Sequence, residues 1–109
     1  MTVGELALRT QFEFSVCIDP DREIHGAYVG DLLSWVMGRA EADNAWITIM
    51  SNINVTAVAV LADVAVVILS EGVKPDADML ASAQAKGINV LLSPHTSYET
   101  AKILCGFGI

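Results

Sequence analysis

A chain of 109 residues in which 53% are hydrophobic and 17% charged is long enough for one folded domain with a core of its own. Its net charge of −7 and its six scattered cations, Arg9, Arg22, Arg39, Lys74, Lys86 and Lys102, exclude the clustered positive charge on which nucleic-acid binding and anionic membrane surfaces depend. So apolar a composition in so small a domain predicts hydrophobic side chains near the surface, and a homodimer is the simplest way to cover them.

The first residues show no basic stretch followed by an apolar one, so no secretory signal is read there and the expected compartment is the cytoplasm. Thr2 with Glu5 forms a capping box ahead of Val3, Leu6 and Ala7, which predicts a short helix. Residues 12–16 alternate apolar and polar, the pattern of a half-buried strand, and Asp19-Pro20-Asp21 reads as a turn. Residues 23–29 then return as a second strand that ends at Gly30. Asp31 is the expected N-cap of a helix with Leu32, Leu33, Val36, Met37 and Ala40 on one stripe, while Trp35 projects away from that stripe toward a loop or a partner chain.

From residue 46 the chain runs apolar strand, polar knuckle and helix three times over. Residues 46–50 stop at Ser51-Asn52, residues 64–69 at Ser70-Glu71-Gly72, and residues 88–92 at Ser93-Pro94-His95. Strands apolar on nearly every residue are buried on both faces, as in a parallel sheet covered by helices. The fold class expected is therefore α/β, three layers, with a mostly parallel sheet and helices on both faces. The crossover at 53–62 has only Asn54 and Thr56 as polar residues, so it reads as a helix needing cover on more than its sheet side. A second subunit is the expected cover, with Trp35, Ile53, Val55, Val58 and Ala62 at the interface; the N-terminal helix folding over it is the competing account. The apolar stretch at 55–69 is interrupted by Asp63, which favours helix then strand over a membrane span. Asp76 behind Pro75 starts the next helix, whose Met79, Leu80 and Ala83 face the sheet, and Gly87 ends it. Thr96 with Glu99 makes another capping box, before a stripe of Tyr98, Ala101, Leu104 and Cys105.

Ligands of open α/β sheets bind outside the carboxyl ends of the strands. That rule selects Ser51, Asn52, Ser70, Glu71, Gly72, Ser93, His95 and Thr96 as candidate ligand-binding residues, with Glu71 favouring a cationic or donor-bearing group over bare phosphate. Each also has an ordinary structural role: Gly72 as the turn residue, Thr96 as a cap, Asn52 as a capping or left-handed residue, His95 as a solvated side chain. No P-loop, dinucleotide-binding glycine motif or nucleophile elbow is present, so no catalytic residue is assigned. Cys17 and Cys105, far apart and without a CxxC motif, read as reduced core residues, and neither they nor His25 have metal-ligand spacing. Neither a metal nor a cofactor is expected.

Several segments together carry a family resemblance. Residues 26–37, with Gly26-Ala27-Tyr28-Val29-Gly30-Asp31 at their head, the strand Ala45-Trp46-Ile47-Thr48-Ile49, the run from Val66 through Ser70-Glu71-Gly72-Val73-Lys74-Pro75, and residues 87–101 resemble stand-alone DRTGG-domain proteins. A literal Asp-Arg-Thr-Gly-Gly is absent, and Ser70-Glu71-Gly72 stands where the resemblance places Thr-Gly-Gly. The resemblance implies the three-layer fold of the N-terminal domain of HPr kinase/phosphorylase, and an accessory role like that of related domains inside phosphotransacetylases and between the CBS modules of pyrophosphatases. The expectation is thus a non-enzymatic regulatory or small-metabolite-sensing domain acting as a homodimer. A structural module docking onto a larger enzyme is the alternative, and a kinase-like phosphotransfer protein, lacking its P-loop, comes last.

Overall fold

Val66-Val67-Ile68-Leu69 is β-branched or bulky at every position and buried at every position, which is the signature of a central strand covered on both faces. Around it the computed structural model, which describes residues 1–109, builds five strands and five helices. The strands are β1 (Glu13–Val16), β2 (Ala27–Val29), β3 (Ala45–Thr48), β4 (Val66–Leu69) and β5 (Val90–Leu92). The helices are α1 (Val3–Leu8), α2 (Leu33–Arg39), α3 (Asn54–Ala62), α4 (Ala77–Lys86) and α5 (Ser97–Gly106). The sheet order is β1-β5-β4-β3-β2, with β2 to β5 mutually parallel and β1 antiparallel to β5.

The parallel strands follow one another in one direction across the sheet. Crossovers of constant hand must then place their helices on one face. Accordingly α2, α3 and α4 contribute Val36, Val55, Val58, Ala59, Met79 and Ala83 to one core layer, where they meet Trp46, Val67, Leu69 and Val90. The opposite face is closed by the terminal helices, through Val3, Leu6 and Leu104 against Ala45, Ile47, Val66, Ile68 and Leu91. Alternate residues of β3 and β4 thus go to opposite layers, as the pleat requires. The α/β, three-layer, mostly parallel architecture expected from the sequence is the one observed.

Local signals set several boundaries as read. The Thr2–Glu5 capping box closes reciprocally, Asp76 caps α4 through Met79 N–H, and Gly87 ends that helix at φ 73°. Four readings change. Residues 23–29 do not form one returning strand: Glu23 bridges to Thr2, Gly26 turns at φ 73°, and β2 starts only at Ala27, at the sheet edge opposite β1. Asp31 does not cap α2; its carboxylate accepts from Thr48 Oγ1 (2.8 Å) and Ile49 N–H (3.0 Å), and Leu32 stands at the cap without a side-chain bond. On α5 the inward stripe is Thr100 and Leu104, while Tyr98 and Cys105 are exposed, because Thr100 Oγ1 pairs with buried Ser93 Oγ at 2.8 Å. Cys17, just past the end of β1, is likewise exposed, so neither cysteine belongs to the core, and both are free thiols.

Part of the cover of α3 comes from within the chain, and not from α1. It packs between α2 and α4, and α1 lies on the other face. Val55 and Val58 are 0% and 5% exposed, so they are core residues and are not on the surface where an interface would need them; Ala62 is half-buried. What remains outside is a second apolar set: Leu32, Trp35 and Met37 around α2, and Ile53, Val60 and Leu61 along α3. No helix is long and apolar enough to cross a membrane.

Candidate functional site

The loop after β4 leads to α4 on one face of the sheet, and the loop after β5 leads to α5 on the other. Adjacent loops that diverge at the carboxyl ends of neighbouring strands leave a crevice between them, the position where open α/β sheets take ligands. A cleft of about 170 Å³ lies there, lined by Gly72, Val73 and Lys74 from the first loop, Leu92 at the end of β5 with Ser93 and Pro94 beyond it, Glu13 at the start of β1 and Gln11 just ahead of it. Glu13 comes into the site because β1 pairs with β5, placing it opposite Leu92.

The floor of the cleft is locked by backbone hydrogen bonds. Glu71 N–H donates to His95 C=O (2.7 Å), Gly72 N–H to Ser93 C=O (3.1 Å), and Ser93 N–H to Leu69 C=O (2.8 Å). Glu71 and Gly72 adopt left-handed backbone, φ 61° and 71°, which turns the chain sharply enough for those bonds. The Glu71 carboxylate folds onto α5 and accepts from Ser97 N–H at 2.7 Å, while Thr96 Oγ1 accepts from Glu99 N–H. The anion-binding end of that helix is therefore filled by the chain's own groups.

Of the eight residues selected by sequence, Gly72 and Ser93 line the cleft. The others hold the scaffold. Ser51 C=O accepts from Asp76 N–H, Asn52 Oδ1 accepts from Asn54 N–H at the start of α3, and Ser70 Oγ pairs with Ser97 Oγ at 2.6 Å. The His95 ring meets Phe12 edge-on, with centroids 6.3 Å apart, and Glu71 and Thr96 serve α5. No buried side-chain polar atom is left unpartnered. Lys74 was within reach of the sequence, being the one cation between Arg39 and Lys86 and two residues beyond the glycine of the knuckle. Gln11 and Glu13 carried no local signal, because only the β1–β5 pairing brings them to the site.

Solved structures include a similar chain, the CBS and DRTGG domains of the regulatory region of a Clostridium perfringens pyrophosphatase, in complex with its activator diadenosine tetraphosphate. The TM-score is 0.72 at 14% identity, a likeness of fold, over 94% of this chain and 45% of that one. This chain therefore spans less than half the length of that regulatory region. No curated protein matches. The model of the DRTGG domain matches residues 24–107, so strands β2 to β5 with their helices are the shared unit, and the chain belongs to the DRTGG domain family.

Proposed function

We propose that this domain is a non-catalytic regulatory module that senses a small metabolite in the cleft between the β4 and β5 loops, and that it works as a homodimer. The observation that carries the reading is the divergence of those two loops to opposite faces, with a cleft of about 170 Å³ at the switch. Ser93, the hydroxyl among the lining residues, is bonded to Thr100, which suits a binding wall better than a nucleophile. The dimer is supported by the apolar set on α2 and α3. Neither helix carries a carboxylate, although 13 of the 109 residues are acidic, so two copies of an acidic chain can meet there without facing carboxylates.

A metabolite panel followed by thermal unfolding and by backbone amide shifts tests the sensing role. A ligand that stabilises the protein and moves the Gly72, Val73 and Lys74 amides supports it. A ligand whose shifts map to the amino ends of the strands, or ATP hydrolysis above blank, overturns it. The second reading, docking onto a larger enzyme, draws on the pyrophosphatase region, in which a similar fold is one part of a longer chain. It predicts a monomer in isolation that keeps the same apolar face for another protein.

A further inference from the structure

We infer that the cleft takes a small zwitterion of the apolar α-amino acid type, with its ammonium on Glu13 and its carboxylate on Lys74. This rests on the cleft being a ligand site, as proposed above, and adds the class of ligand. Glu13 and Lys74 line one cleft without forming an ion pair; the chain's ion pairs join Met1 to Glu23, Arg22 to Asp43 and Asp63, and Lys102 to Glu99. One anion and one cation, both free of protein partners, present opposite charges to a single small volume, the arrangement that a molecule bearing both charges matches.

The remaining walls narrow the class. Ser93 is committed to Thr100 and the Ser93 carbonyl to Gly72, so the polar side chains left to a ligand are Glu13, Lys74 and the amide of Gln11. Val73, Leu92 and Pro94 supply an apolar wall for an aliphatic side chain. The volume, about 170 Å³, is below the ~300 Å³ at which drug-sized sites begin. A dinucleotide polyphosphate such as diadenosine tetraphosphate would seat only a part of itself in this open cleft. One lysine opposite a glutamate, in a chain of net charge −7, is also a poor counter-charge for several phosphates. Gln11 and Glu13 precede the segment 24–107 that the family model matches, so the ammonium end of the site lies outside that segment.

The test is an amide-shift titration of the full chain with L-leucine, L-valine and L-methionine. Each is compared with its decarboxylated amine and its deaminated acid, and inorganic diphosphate is added as a polyanion. Saturable shifts at Glu13, Val73 and Lys74 are expected with the amino acids, and binding about tenfold weaker or more with either half-molecule. Glu13→Gln and Lys74→Met should each weaken amino-acid binding by a similar factor. Both positions are exposed, so unchanged thermal midpoints serve as the folding control. If the deaminated acid or diphosphate binds as tightly as the amino acid and Glu13→Gln has no effect, the cleft is a ligand site but the zwitterion is wrong. If none of the three amino acids moves these amides at millimolar concentration, the inference fails. A wider panel of nucleotides and sugars that also leaves them still removes the sensing reading too.

Discussion

Ser97 N–H donates to the Glu71 carboxylate at 2.7 Å, so the loop that leads to α4 is held by the first turn of the helix on the opposite face. A carboxylate at that position completes the helix end and meets the favourable pole of its dipole. The bond also fixes the mouth of the cleft, since Gly72 follows directly and its N–H is bonded to Ser93 C=O. An external phosphate would have to displace Glu71 to reach α5.

Glu71 holds a left-handed backbone (φ 61°) in addition to its cap, and the two contributions separate by substitution. Glu71→Ala should lose the cap and keep the strain, costing about 1 kcal/mol. Glu71→Gly also loses the cap but relieves the backbone by about 1 kcal/mol, leaving stability near wild type. Urea midpoints in which the alanine variant equals or exceeds the glycine variant would contradict this account.

Asn89 is 2% exposed and makes four hydrogen bonds: its Oδ1 accepts from Ile18 and Asp19 N–H, and its Nδ2 donates to Asp19 and Ala65 C=O. Asn89→Ala strips those groups of partners together and should cost about 3 kcal/mol. Amide exchange at Ile18 and Asp19 should accelerate before that of α2. Asn54→Ala, on an exposed residue, should stay within about 0.5 kcal/mol.

Elements whose cause is local were legible in the sequence. The runs of β3, β4 and β5, the Thr2 and Asp76 caps and the Gly87 stop follow from neighbours within a few residues. What escaped depends on partners far along the chain. Asp31 looked like a helix cap because nothing in residues 31–40 reveals that Thr48 will take its carboxylate. Thr100 falls outside the stripe that the apolar residues of α5 mark, because its partner, Ser93, lies across a turn and inside the core. The strand-end rule leads to the edge of the sheet where the cleft lies, yet most of the residues it selects bond to the scaffold. The strand at 12–16, which reads as turning back toward 23–29, pairs instead with β5 and so brings Glu13 to the cleft.

The homodimer is tested on two residues of one helix. Leu61 is 70% exposed and Val58 only 5%. Leu61→Glu should convert the dimer to a monomer that stays folded, whereas Val58→Glu should unfold the domain by burying an unpaired charge, at several kcal/mol. Light scattering of the wild type decides first: a mass near 11.6 kDa at micromolar concentration removes the dimer.

The capping box gives a pH signature. Glu5 is held below its ordinary value of 4.5 by the Thr2 backbone N–H first and the Thr2 side chain second. A depressed carboxyl stabilises the fold above its unfolded value, and that contribution disappears as pH falls through the lower folded value. Glu5→Gln keeps an acceptor at the cap but removes the titration. The variant should therefore show a shallower fall in urea midpoint between pH 6 and pH 3 than the wild type, and parallel curves would sink the assignment.

The pairing of β1 with β5 joins Glu13 to Leu92, and Asn89 ties down Ile18 and Asp19 across 71 and 70 residues. During synthesis the first strand therefore emerges with no neighbour and waits until β5 has left the ribosome. Contacts of such separation slow folding, since the loop must close before they contribute. The waiting segment holds Phe12, Phe14 and Val16, an apolar alternation that is a template for pairing with other chains while it is open. Glu13 and Ser15 between them, and the flanking Asp19 and Asp21, place polar groups and negative charge along that stretch and keep it apart from its copies until β5 arrives.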